Sequence, residues 1–295
     1  MANAQNILKD SDVSPFLFVV NPNSGTGKSS YVSKVLKGLN PSLAEVAEST
    51  SIEQSENIVK QALRENRRAI IAVGGDGTVH SIGKLLINTN TALGVIPVGS
   101  GNGIARHLGV SMNLKKAVQT VLSGHERTID TFKVNGHTAI GFAGIGFDGK
   151  VAENFHNHHT RGFWSYVKLT LNTYRAYQST DYSVDGKSCK QFALVVANIS
   201  QYGNNAYINP LANDNDGKVE LIFLKKPGVM DIPLAGYQLF NAQIHQSKLV
   251  EIQSKTQFSI DNKQEAAIHI DGEPVPMNRL IEIKVNPKSL TVICP

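Results

Sequence analysis

The sequence predicts an α/β domain built on a parallel sheet over residues 1–128, an antiparallel β-sandwich domain over residues 129–295, and a cleft between them. Three observations carry that expectation. The first half alternates short apolar runs with helical periodicity, an order that builds a parallel sheet covered on both faces. After about Thr128 the pattern changes to short alternating runs divided by Gly, Asn and Asp turns, as in a sandwich. Three glycine-rich loops of the first half each follow a strand, so they meet at one sheet edge, where open α/β sheets bind ligands.

In chain order, residues 16–20 read as a strand and residues 28–39 as a helix with Val32, Val35, Leu36 and Leu39 on one face. Ser51 can cap a helix that carries Glu53 in its first turn and runs to about Arg64. Residues 69–73 are a buried strand that stops at Gly74, Gly75 and Gly77 around Asp76. A helix over 79–86, a strand over 93–98, and helices near Ile104 and over 114–122 complete the first half. In the second half, strands are expected at 129–134, 138–142, 192–197, 219–223, 249–253, 258–261, 267–270, 281–285 and 290–293. Two helical insertions, around 164–177 and 232–242, interrupt them.

Apolar residues make up 41% of the chain and charged residues 18%, the balance of a soluble globular protein. Residues 1–15 carry Asp10 and Asp12 and lack the apolar core of a secretory signal, and no apolar run approaches the roughly 20 residues that span a bilayer. A cytoplasmic location is expected. Cys189 and Cys294 are too far apart for a zinc knuckle or redox pair and read as reduced packing residues. A net charge of +5 favours anionic partners. Nucleic acid is disfavoured, because basic runs interleaved with aromatic residues are missing.

The glycine loops cover residues 21–28, 74–78 and 97–103. Glycine lets backbone amides approach a phosphate, and the helix that follows adds its N-terminal partial charge. Gly27-Lys28-Ser29 invites a Walker A reading, but Pro22 stands where the opening glycine would be. Residues 144–149 form a formal G-x-G-x-x-G, yet no acid lies between Glu153 and Asp181 to serve a ribose, so a tight interdomain turn is expected there.

Asn21-Pro22-Asn23-Ser24-Gly25, Gly74-Gly75-Asp76-Gly77-Thr78, Pro97-Val98-Gly99-Ser100-Gly101-Asn102 and Asp271-Gly272-Glu273 stand in the order found in the diacylglycerol kinase catalytic-domain family. The chain resembles that family, which includes bacterial soluble lipid kinases, sphingosine kinases and ceramide kinases, over essentially its whole length. The resemblance implies a Rossmann-like domain of the NAD kinase and phosphofructokinase type followed by the sandwich. It also implies ATP and Mg²⁺, with nucleotide in the cleft and a lipid alcohol entering from the second domain. Two departures stand out. Bacterial members usually continue the second motif with Asn-Glu, where this chain has His80-Ser81, and the third with Asn-Asp, where it has Asn102-Gly103.

Phosphoryl transfer needs positioned phosphates, neutralised charge and an orienter for the incoming hydroxyl. Asp76 is the first candidate to organise Mg²⁺ and the acceptor, and the resemblance adds Asp271 and Glu273, with Glu273 a rival general base. Nucleotide contacts are expected from Asn21, Pro22, Asn23, Ser24, Gly25, Gly74, Gly75, Gly77, Thr78, Ser100, Gly101 and Asn102, with Lys28 and Thr50 as further candidates. Residues 213–218 form a loop of hard oxygen donors. The resemblance places a second, structural Mg²⁺ there on Asp216, the Lys218 carbonyl and Asn213; a plain hairpin turn is the alternative. His156, His158 and His159 have no acid or cysteine nearby in sequence and read as a polar interhelix loop.

Trp164, Val167, Leu171 and Tyr174 share a helical stripe flanked by Arg161, Lys168 and Arg175. This segment is either a helix packed on the sandwich or a lid of the lipid pocket that visits an anionic membrane reversibly from the inner, cytoplasmic side, with Lys168 also serving the phosphates. A homodimer is compatible with the sequence. The leading expectation is an ATP- and Mg²⁺-dependent lipid kinase acting on a diacylglycerol-like or sphingoid-like lipid. A NAD-kinase-like phosphotransferase and a catalytically silent nucleotide- or lipid-binding module stay open.

Overall fold

Strands buried on both faces require uninterrupted apolar residues, and the first sheet is built from such segments. The computed structural model describes residues 16–21, 32, 34–36, 38–40, 43–157, 163–276 and 279–295. β1 (Phe16–Val20), β2 (Ala44–Glu48), β3 (Ala69–Gly74) and β4 (Ala92–Pro97) lie parallel in the order β2-β1-β3-β4. Every residue of β3 is buried, because α1 (Ile52–Arg64), α2 (Asp76–Leu86), α3 (Gly103–His107) and α4 (Leu114–Ser123) connect these strands and cover the sheet. Ser51 caps α1 by accepting from the Gln54 amide, as its sequence position predicts. Of the helix expected over 28–39, residues 32 and 34–36 are helical, and most of the rest lies outside the described residues.

The second half is antiparallel. β7 (Phe142–Gly146), β10 (Ala193–Ala197), β11 (Val219–Leu224), β12 (Val250–Lys255), β14 (Ile268–Ile270) and β15 (Glu273–Pro274) form one sheet in the order β12-β11-β10-β7-β14-β15. Facing it, β5 (His125–Val134), β6 (His137–Ala139), β8 (Thr180–Val184), β9 (Lys187–Gln191) and β13 (Gln257–Asp261) gather around β16 (Leu280–Cys294). Phe132, Tyr182, Leu194, Leu221, Ile260 and Ile283 fill the space between the layers. The protein is thus an α/β domain followed by a β-sandwich, with a cleft between them.

β16 joins the two halves. Its first part pairs with β13, and its end runs parallel to β4 at Val292 and Leu93 after a register shift between Asn286 and Leu290. The two strands expected at 281–285 and 290–293 are therefore one. β8 and β9 carry too many polar residues to register as strands in the sequence, since only one face is covered. The turn expected at 144–149 is instead the end of β7 and the start of α5 (Phe147–His156). Glycine at 144 and 146 hides the alternation of β7, and Gly144 is needed because a Cβ there would run into the Asp148 carboxylate. The two insertions appear as α6 (Phe163–Ala176) and α7 (Ile232–Phe240).

Candidate active site

β3 runs straight into α2 through Gly75, so Asp76 stands in the first turn of a helix at the carboxyl end of the sheet. The loop after β4 lies against this turn, backbone on backbone: a Cβ on Gly75 would sit 3.2 Å from the Gly99 Cα. Asn102, at φ 54°, turns that loop into α3, and its side-chain amide donates to the Gly99 carbonyl at 2.8 Å. Its Oδ1 is buried and has no hydrogen-bond partner among the described residues. The Ile104 amide donates to Asp76 Oδ1 at 3.2 Å. Burial pushes the Asp76 carboxyl above its usual range, the amides of Ile104, Gly103 and Asn102 pull against this, and neighbouring Asp271 adds to the upward push.

Asp271 comes from the second domain, at the turn between β14 and β15, with φ 47°. Its side chain is only 3% exposed and accepts four donors. Gly141 and Phe142 amides donate to Oδ1 at 2.8 and 2.7 Å, and the Ile140 amide donates to Oδ2 at 2.8 Å. His80, one turn past Asp76 on α2, places Nδ1 2.6 Å from the same Oδ2. Burial alone would raise the Asp271 pKa; the hydrogen bond and charge of His80, with the backbone amides, outweigh it and hold the acid ionised. On the other side of the turn, the Gly272 amide donates to His269 Nδ1 at 3.1 Å, which leaves Nε2 to donate to Asp148 Oδ2 at 2.9 Å. The Tyr202 hydroxyl donates to that oxygen at 3.0 Å. Two histidines, one from each domain, therefore fix the turn that presents Glu273. Its Oε1 lies 3.7 Å from where a Gly77 Cβ would stand, and its Oε2 lies 3.3 Å from His156 Nδ1.

Residues 15–134 match the diacylglycerol kinase catalytic domain, and residues 141–294, just over half of the chain, match the YegS C-terminal NAD kinase beta sandwich-like domain. The chain belongs to the diacylglycerol kinase catalytic-domain family. A diacylglycerol kinase of Bacillus subtilis (strain 168) is 27% identical over 237 residues, 76% of this chain and 77% of its own length. An uncharacterized protein of Synechocystis is 25% identical over 276 residues, 84% of this chain; the chain spans 61% of that relative's length. A crystal structure of a diacylglycerol kinase from Bacillus anthracis str. Sterne shares the fold at a TM-score of 0.71 and 19% identity, over 97% of this chain and 98% of that one.

Within this diacylglycerol kinase family fold, the two described glycine loops, Asp76, Asp271 and Glu273 meet at one place. Gly101 faces Asp76, since a Cβ there would stand 3.3 Å from Oδ2, while Ser100 is exposed. Asn21 ends β1 beside β3, its amide donating to the Val73 carbonyl. Thr50 follows β2, two strands from β3, and both its amide and its hydroxyl donate to Gln54 Oε1. Pro22, Asn23, Ser24, Gly25 and Lys28 lie outside the described residues, as do His158, His159 and Arg161. His156 does have an acid partner, Glu273, which the fold brings from more than a hundred residues away. Gly74, Gly77 and Thr78 occupy the turn around Asp76.

In the 213–218 loop, Asn213, Asp216 and Lys218 are exposed, and Asp216 Oδ1 accepts from the Lys218 amide at 3.0 Å as in an ordinary turn. The buried acid is Asp214. Arg127 donates to both of its oxygens, at 2.6 and 2.8 Å, and His107 Nε2 donates at 3.0 Å. Burial pushes Asp214 up, but these partners hold it at about 2. Asp130 accepts from the Gly217 and Lys288 amides at 2.6 and 2.7 Å and ties the loop to β5 and β16. Asn213, Asp216 and Lys218 thus form an exposed turn, while the buried carboxylate beside them is paired with a guanidinium; no group of three or more His, Cys, Asp or Glu that could hold a metal occurs among the described residues, here or around Asp76.

α6 is held by Asn154 donating to Thr173 Oγ1 at 3.0 Å and by the Tyr174 hydroxyl donating to the Pro227 carbonyl at 2.8 Å. On its outer face Trp164 is 79% and Leu171 47% exposed, with Lys168 and Arg175 exposed beside them. The sequence alone passed over His269, Asp148, Tyr202, Arg127 and His107. His269 is the one polar residue of β14, Asp148, Arg127 and His107 stand in polar segments, and Tyr202 lies in a loop; none belongs to a local motif, so their roles show only when their partners arrive from elsewhere in the chain.

Proposed function

We propose that this member of the family is an ATP- and Mg²⁺-dependent lipid kinase that transfers the γ-phosphoryl group to the hydroxyl of a diacylglycerol-like or sphingoid-like lipid. The observation that carries this reading is Asp76. It is an acid whose pKa burial raises, its donors are backbone amides, and the charged neighbour that acts on it is another acid, Asp271. Such a carboxylate is costly unless a cation joins it, so its surroundings fit a divalent ion. Asp76 would hold Mg²⁺, which supplies charge neutralisation to the phosphates when bound.

The glycine loops and the start of α2 offer amides and a helix N-terminus to the phosphates, and the close packing of Gly75 on Gly99 sets the width of that cradle. The turn at 271–273 brings polar groups from the second domain to the same spot, so donor and acceptor meet between domains with orientation already fixed. The exposed apolar and basic residues of α6 support reversible contact with an anionic bilayer surface, where the lipid resides. No helix of the described residues is long and apolar enough to cross a membrane.

The test is transfer of label from [γ-³²P]ATP into mixed micelles of a lipid extract, wild type against Asp76→Ala. Label in an organic-phase product with wild type and none with the variant is expected. Labelling of NAD but of no lipid would instead establish a soluble-acceptor phosphotransferase. ATP binding by calorimetry without turnover on any acceptor would establish a silent binding module.

A further inference from the structure

His80 is the residue at which this chain departs from the Asn-Glu continuation usual in bacterial relatives, and it carries chemistry that Asn cannot. It rises from the same face of α2 as Gly77, against the turn that bears Asp271 and Glu273. Asp271 is ionised and accepts four N–H donors, so the hydrogen on His80 sits on Nδ1 and Nε2 is the basic nitrogen. Among the described residues Nε2 has no protein partner, and the side chain is 16% exposed into the cleft. A buried carboxylate that fixes the tautomer of an imidazole, and thereby turns its other nitrogen toward the reacting group, is the arrangement that makes histidine a base.

The other acids of the site are less suited. Asp271 has each oxygen taken by two donors, Asp76 is the position that calls for a cation, and Glu273 is more than half exposed beside His156. We propose that His80 is the general base of phosphoryl transfer, with Asp271 as its positioning residue. The assignment rests on the kinase reading above. In the step, His80 Nε2 takes the proton of the lipid hydroxyl, and that oxygen forms the bond to the γ-phosphorus. The bond from the γ-phosphorus to the oxygen bridging it to the β-phosphorus breaks, its electron pair leaving with ADP. His80 then returns its proton to solvent, which its exposure allows.

Burial pulls the His80 pKa down, but the hydrogen bond and charge of Asp271, with the charge of Glu273, outweigh it; Lys84 on the same helix opposes them and is itself paired with Glu56 of α1. Asp76 is the remaining acid of that helix turn. The result lies above the ordinary 6.5, the direction that makes the imidazole a stronger base. The base must be neutral, so kcat/KM rises with pH to a plateau, with a midpoint above 6.5.

The experiment follows transfer from [γ-³²P]ATP to dioctanoylglycerol and to sphingosine in mixed micelles, as a function of pH, for wild type, His80→Gln, His80→Asn and His80→Ala. We expect kcat to fall about 10²- to 10³-fold in all three variants with the KM for ATP within threefold, the rise with pH to vanish, and millimolar imidazole to restore part of the His80→Ala rate. Thermal melts identify any variant that does not fold, and His80→Asn, with the side chain usual in relatives, guards against that outcome. ¹⁵N NMR of the wild-type histidines supplies a readout apart from turnover: His80 titrates with Nε2 as the basic nitrogen above 6.5, and lower in Asp271→Asn. A folded His80→Asn as active as wild type, or a rate that falls as His80 deprotonates, overturns the assignment while leaving the kinase reading in place. No transfer by wild type to any acceptor overturns both.

Discussion

Replacing Arg127 by Met tests whether the loop beside the sandwich is held by protein charge rather than by a metal. Asp214 is 7% exposed, and its two oxygens share Arg127 and His107. Its pKa moves from 3.8 to about 2 on folding. That difference corresponds to roughly 2.5 kcal/mol of stability, fully present above 3.8 and lost as pH falls through about 2. Arg127→Met removes the bidentate partner and leaves the buried carboxylate with only the His107 contact of the two, at a cost of about 2–4 kcal/mol at pH 7. In a chain of this size the thermal midpoint should drop by about 5 °C or more. The gap between variant and wild type should begin to narrow below the ordinary carboxylate range and close only near pH of about 2, where Asp214 of the wild type becomes protonated. Adding Asp214→Asn to the variant should recover part of the loss, since the uncompensated charge is gone. Differential scanning calorimetry with and without EDTA and Mg²⁺ provides the measurement. A wild-type midpoint that falls several degrees in EDTA and is restored by Mg²⁺, at protein concentrations without nucleotide, would refute the reasoning and return a metal to this loop.

Asp76→Asn should abolish transfer by about 10³-fold while raising, not lowering, the thermal midpoint of the ligand-free protein at pH 7. The raised Asp76 pKa means that folding disfavours its charged form, so the stabilising effect should disappear as pH falls below the ordinary carboxylate range. Gly75→Ala places a Cβ 3.2 Å from the Gly99 Cα and must spread two loops; the KM for ATP should rise about tenfold, near 1.4 kcal/mol, with kcat less affected. Combining Trp164→Ser with Arg175→Glu should cut sedimentation with phosphatidylglycerol-containing vesicles about tenfold and reduce its salt sensitivity, with kinase activity on short-chain, monomeric acceptors retained.

Local sequence was sufficient wherever a segment's role depends on its own residues. Residues 69–78 specify a buried parallel strand that ends in a glycine turn around an acid, and the change of pattern near Thr128 announces the sandwich. The four motif blocks placed the chain in its family and named Asp76, Asp271 and Glu273. The partners of those residues were decided by the tertiary structure. Asp271 reads as an ordinary hairpin acid until His80, nearly two hundred positions earlier, meets it, and His156 reads as an unpaired histidine until Glu273 reaches it. The 213–218 loop shows the limit most clearly. Counting oxygen donors along the chain points to Asp216, whereas the fold buries Asp214 and brings Arg127 and His107 to it from 87 and 107 residues away. A backbone pattern is written in neighbouring residues because propensity and periodicity act over a few positions. The charge state and partners of a buried polar group depend on whichever side chains the closed fold delivers, and for that reason only the three-dimensional arrangement assigned them.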